Sequence, residues 1–167
     1  MKPLLFALLA LSLAACGSSR MSGMDFARPE VVNPGGKMQC VPFARDESGI
    51  EIYGDAHLWW QKAANAYERG HEPEEGSVMV LFGYKNPNRG HVAVVKRMIS
   101  EREIVVDHAN WLNDGQIYLD QPVKDVSANN DWSAVKVWYA PGRQYGARTY
   151  AVQGFILPQM RYAAARN

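Results

Sequence analysis

From Gly76 onward the chain reads as six short β-rich segments punctuated by turn residues, and this pattern limits the possible folds more than any other feature. The segments are 78–84, 91–99, 103–110, 116–119, 134–139 and 150–157, each rich in Val, Ile and aromatic side chains that suit a pleated surface. Turns such as Asn86-Pro87-Asn88-Arg89-Gly90 are too short for helical crossovers, so neighbouring strands are expected to run antiparallel. Two helical patterns precede them. Residues 40–46 carry Pro42 in a first turn with Gly49 close behind. Residues 55–69 start at a good N-cap, Asp55, and stop at Gly70, with Ala56, Trp59/Trp60, Ala63/Ala64 and Tyr67 on one face. The Trp59-Trp60 pair is read as core filling. Helices followed by strands predict an α+β fold, with N-terminal helices packed on an antiparallel sheet.

The N-terminus reads differently. Lys2 precedes an apolar run, 4–15, that has the length of a signal-peptide core and is short for a bilayer span. It ends in Leu13-Ala14-Ala15-Cys16, which resembles a bacterial lipobox and makes Cys16 the expected lipidation site, the chain's contact with a membrane. Gly17 after that cysteine resembles lipoproteins sorted to the outer membrane and facing the periplasm. Residues 17–36 are rich in Gly, Ser and Pro and read as a tether. The expected division is a leader at 1–15, a lipidated tether at 16–36, a folded domain at 37–158 and a tail at 159–167. With 18 basic and 17 acidic residues and a net charge of +1, the chain has no electrostatic footprint for nucleic acid, and a monomer is expected.

The chain has two cysteines, so lipidation of Cys16 leaves Cys40 as a single unpaired thiol in an oxidising compartment. Cys40 stands at a predicted helix start, where a thiolate is favoured, and the strand after the 86–90 turn delivers His91 as a base that can return the proton to a leaving amine. An imidazole needs a third polar group to fix its tautomer. The stretch Asp107-His108-Ala109-Asn110 offers candidates, with His108 and Asn110 on one face of their strand and Asp107 on the other. His91 shares its face with Ala93 and Val95, and parity alone leaves the choice open.

Four strings occur in order: Gln39-Cys40-Val41-Pro42-Phe43-Ala44, then Tyr53-Gly54-Asp55-Ala56 with Trp59-Trp60, then Gly90-His91-Val92-Ala93-Val94-Val95, then Asn110-Trp111. Together they resemble the CHAP family, the cysteine, histidine-dependent amidohydrolases/peptidases, over residues 36–139. The resemblance implies a papain-like (NlpC-type) fold and cleavage of peptidoglycan, within the peptide or at its amide to muramic acid. Family members usually carry an acid two positions before the Asn-Trp pair, where this chain has His108. The related NlpC-type peptidases use Cys-His-His, so the expected catalytic set is Cys40, His91 and His108, with Asn110 and Gln39 in support and Asp107 as the alternative third residue. Residues 33–38 lack the acids with which some members bind calcium, and His57 and His71 have no partners at ligand spacing, so no metal or other cofactor is expected. Two other readings of the same residues are a catalytically inactive peptidoglycan-binding lipoprotein and an amidase or acyltransferase acting on a different amide.

Overall fold

A computed structural model describes residues 27–158; the expected leader, Cys16, most of the tether and the C-terminal tail fall outside them. The molecule is mostly β, and this corrects the predicted helix-packed α+β, papain-like architecture. Six strands form a closed antiparallel barrel: β3 (Val78–Phe82), β4 (Gly90–Ser100), β5 (Glu103–Ala109), β6 (Ile117–Asp125), β7 (Ala134–Tyr139) and β9 (Tyr150–Ile156). Pairing runs β3–β4–β5–β6–β7–β9, and β9 returns to β3. Three short strands decorate it: β1 (Glu30–Val32) on β6, β2 (Arg69–Gly70) on β9 and β8 (Gln144–Tyr145) on β7. β1 lies inside the expected tether, so that segment is part of the fold from Glu30.

Closure follows from strands that are apolar on both faces. Met79 and Leu81 on β3, Ala93 and Val95 on β4, and Ile104 and Val106 on β5 meet inside the barrel, with Trp132 and Phe155. The alternate residues Val78, Val80, Val92 and Val94 face outward under a second apolar cluster holding Ala44, Ile50, Trp59 and Ala63. Two buried faces demand both a filled barrel and a covering layer. Curvature enters at β9, where Gly154 has φ +146° and a Cβ would run into the Trp60 ring. The β3–β9 register shifts beside it.

The covering helices are shorter than the apolar spacing suggested. α1 (Cys40–Ser48) ends on Gly49, in the left-handed region at φ +70°, whose N–H bonds Arg45 O at 2.9 Å. The predicted helix over 55–69 is one 3₁₀ turn, Ala56–Leu58, followed by α2 (Trp59–Ala63). Tertiary pairing overrides helix propensity there: Arg69 and Gly70 must be extended to pair with Ile156 and Phe155 of β9. Trp59 is fully buried in the outer cluster and Trp60 packs against it, the core role expected of the pair.

Candidate active site

Cys40 is the first residue of α1, preceded by Gln39 in extended conformation (φ −112°, ψ 153°) with no side-chain cap. The amide N–H groups of a first helical turn have no intrahelical acceptor, so the Cys40 N–H is left to point out of the helix start. α1 packs on β4 and is tied to it by an ion pair between Lys96 and Glu47 at 3.1 Å. This seats the thiol against the beginning of β4, where Cys40 packs on the outer apolar cluster that includes Val92, next to His91. Cys40 and His91 line the same cleft, about 590 Å³, along with Gln39, Asn110 and Trp111.

Barrel parity settles what sequence parity left open. His91 precedes Ala93 and Val95, and His108 follows Ile104 and Val106, all four of which point into the barrel. Both imidazoles therefore point toward the barrel's open end, where His91 Nε2 meets His108 Nδ1 at 2.9 Å. Trp111 covers them, with its ring centroid 4.9 Å from that of His91 and 5.2 Å from that of His108. Since the Nε2 of His91 is engaged by His108, its Nδ1 is the nitrogen left for a thiol proton. In that arrangement Nε2 donates and His108 Nδ1 accepts.

Asp107 faces the other way. Its carboxylate accepts the Asp120 N–H at 2.6 Å and lies 3.5 Å from Lys96 Nζ. The β5–β6 register shifts beside it, with three steps on β6 against two on β5, so the extra residue belongs to β6. A bulge on β5 itself would have turned Asp107 inward; placed on β6, it leaves Asp107 holding the bulge amide outside the site.

Asn110 does not contact His91 through any hydrogen bond. It takes a left-handed conformation at φ 60°, its Oδ1 accepts the Gly115 N–H at 2.8 Å, and its Nδ2 donates to Gln39 Oε1 at 2.9 Å. With its oxygen held, the Gln39 amide presents its NH₂ on the opposite side as a donor. Sequence reasoning missed two further cleft residues. His57 lines the cleft with a buried Nδ1, and Gly90, next to His91, lies close against the His57 backbone. A Cβ on Gly90 would lie 2.8 Å from both N and Cα of His57 and 3.0 Å from Leu81 O. Gly90→Ala is therefore expected to displace the start of β4, lowering stability by about 1–3 kcal/mol and kcat by about 100-fold. Melting and steady-state assays check this, and wild-type kcat in the variant would show that His91 does not depend on this contact. His71 is exposed and stacks near Trp60, away from the cleft.

Electrostatics differ from the thiolate and imidazolium expected at the sequence level. Burial pushes the Cys40 thiol up, against opposing backbone hydrogen bonds from Val92, Val41 and Cys40 itself. Burial lowers His91 to about 3, and burial together with the neighbouring His91 places His108 well below its ordinary value. Each group on its own is thus driven to its neutral form. Both histidines titrate near 6.5 when unfolded. Below that pH the unfolded chain takes up protons that the folded chain refuses, so their burial costs stability progressively as pH falls toward the folded values. Above it, they contribute no pH dependence. Denaturant titrations across the window are expected to lose about 1.4 kcal/mol per pH unit per histidine. A His108→Asn variant should lose one such contribution; an unchanged slope would contradict its buried neutral state.

The CHAP domain family model matches residues 31–110, a little under half of the chain, and this span contains Cys40, His91, His108 and Asn110. The match supports the CHAP family and, with it, hydrolase activity of the amidase or peptidase kind. No curated protein matches the chain at a significant level.

Proposed function

We propose that this protein is a cysteine hydrolase of peptidoglycan amides, with Cys40 as nucleophile, His91 as general base and acid, and His108 orienting His91. The observation that carries this reading is that His91 lines the cleft that holds the helix-start thiol and is backed there by the buried His108, at 2.9 Å. Burial of every titratable member favours a neutral resting state, so attack is coupled to proton transfer. As Cys40 Sγ bonds to the substrate carbonyl carbon, its proton passes to His91 Nδ1, and the imidazolium is steadied by His108 Nδ1. The carbonyl oxygen gathers charge facing the Cys40 N–H and the Gln39 amide. Collapse breaks the C–N bond, and His91 gives its proton to the departing amine, leaving a thioacyl-enzyme. Water then attacks with His91 again as base, and the acid and free thiol are released.

The lipobox-like string ending at Cys16 supports the cellular side of the proposal: an exported lipoprotein, anchored in the outer membrane through Cys16 and facing the periplasm, acting as a monomer on the adjacent wall. No cofactor is needed by these steps. Mass spectrometry of a defined muropeptide mixture tests the function. Product pairs whose masses sum to substrate plus one water are expected, and their identity names the bond. Products joined to an added amine would make the enzyme an acyltransferase. Retention of muropeptides without any product would make it a binding lipoprotein.

A further inference from the structure

Beside the catalytic cleft lies a second cavity of about 430 Å³ lined by Trp111, Leu112, Val137, Tyr139, Arg148 and Tyr150, with Gln144, Gly146 and Ala147. The two cavities share Trp111, Arg148 and Tyr150. A train of rings links the chemistry to this junction: His91 to Trp111 at 4.9 Å, Trp111 to Tyr150 at 5.1 Å and Tyr150 to Tyr84 at 5.9 Å. Arg148 closes the train, its guanidinium 4.8 Å over the Tyr84 ring. It is the one charged residue lining the second cavity, and beside it the cleft has Arg89 and a single acid, Asp55.

Three cations of the barrel wall are neutralised, Lys96 by Glu47 and Asp107, Arg97 by Asp120, and Arg102 by Asp125, whereas Lys124 and Lys136 face each other across β6 and β7. Those at the cleft mouth are not neutralised. Among the described residues no carboxylate pairs with Arg148 or Arg89; the guanidinium of the latter donates to the Asn113 amide oxygen at 3.2 Å. A guanidinium stacked on an aromatic face keeps its N–H fork open and pre-set for a planar anion. Such a group, held between a reactive cleft and an apolar chamber, has the chemistry to receive a carboxylate.

We infer that Arg148 is a substrate-binding residue that recognises a free carboxylate close to the scissile amide, while the chamber lined by Trp111, Tyr139 and Tyr150 takes the adjoining apolar part of the substrate. The inference rests on the peptidoglycan reading, since peptide stems are the carboxylate-bearing substrate it supplies, and it makes the enzyme selective for unamidated stems.

The test is equilibrium binding to the full-length Cys40→Ala protein of purified stem muropeptides, with their carboxylates either free or converted to carboxamides. The free form is expected to bind about 10- to 100-fold tighter, the range of a charge-assisted pair. Adding Arg148→Gln should bring the free form down to the level of the amidated one and leave the latter unchanged. Arg148→Lys should restore part of the difference. Equal weakening of both ligands by Arg148→Gln, an undiminished preference in that variant, or absence of binding by either ligand would overturn the assignment. Cleavage by the wild-type protein separates the two claims. Turnover without Arg148-dependent discrimination removes only the carboxylate subsite, whereas discrimination without turnover removes only the hydrolase reading.

Discussion

Cys40→Ala is expected to reduce peptidoglycan amide cleavage by about 10⁴-fold or more, because the nucleophile's loss removes the covalent route and leaves only positioned donors. The cleft itself should survive. Gln39 is held by Asn110 at 2.9 Å, and Asn110 in turn by the Gly115 amide, independently of the thiol. Cys40 is half-buried rather than central to either apolar cluster, so its truncation should cost stability only about 1 kcal/mol. The two readouts together separate chemistry from folding: activity at background with near-wild-type melting is the expected pair. Wild-type turnover by the variant would remove Cys40 from the mechanism.

The next largest effect is expected at His108. It is fully buried beneath Trp111 and Tyr118, and it is absent from the cleft wall, so its replacement should leave KM little changed. In the proposed mechanism it supplies an acceptor for the Nε2–H of His91 at 2.9 Å, which holds the base in the tautomer with Nδ1 open to the thiol. His108→Ala should therefore lower kcat by about 10²- to 10⁴-fold, the range seen when an orienting partner of a catalytic histidine is lost. His108→Leu restores the volume without an acceptor and should stay equally low. His108→Gln can offer an amide oxygen in the same place and should recover at least about tenfold over alanine. If leucine rescued as well as glutamine, His108 would be a filler and the orienting role would be wrong.

How much of this was legible in the sequence depended on the range of the interaction. Local signals served well: α1 starts at Cys40 and ends by Gly49, and all six β segments are strands with ends shifted by a few residues. The fourth, expected at 116–119, runs on to Asp125 because its second half pairs with β7. Closure itself, the feature that overturned the α+β expectation, is a contact between β9 and β3, some seventy positions apart, and no local period encodes it. The 55–69 helix failed for the same reason, since its last residues are claimed by β9.

The site shows a similar division. Cys40 and His91 were named by residue type and order and His108 through the family resemblance, and the structure puts His91 in the thiol's cleft with His108 buried behind it. The choice against Asp107 needed the location of a bulge on β6, a tertiary fact. The link between the two residues expected in support was also invisible locally, since the left-handed backbone of Asn110 turns its side chain toward Gln39. The expected thiolate was set aside by burial, which depends on what covers the helix start and outweighs the favourable helix end.

Alkylation of the wild-type protein puts the central claim to its most direct test, because it alters one atom and spares the sequence. Partial treatment with iodoacetamide, peptide mapping of the fraction modified at Cys40, and turnover measured on the same samples give activity against modification. Activity should fall in direct proportion to the carbamidomethylated fraction and reach background when Cys40 is fully modified. Undiminished peptidoglycan turnover by protein whose Cys40 is wholly carbamidomethylated would contradict the mechanism.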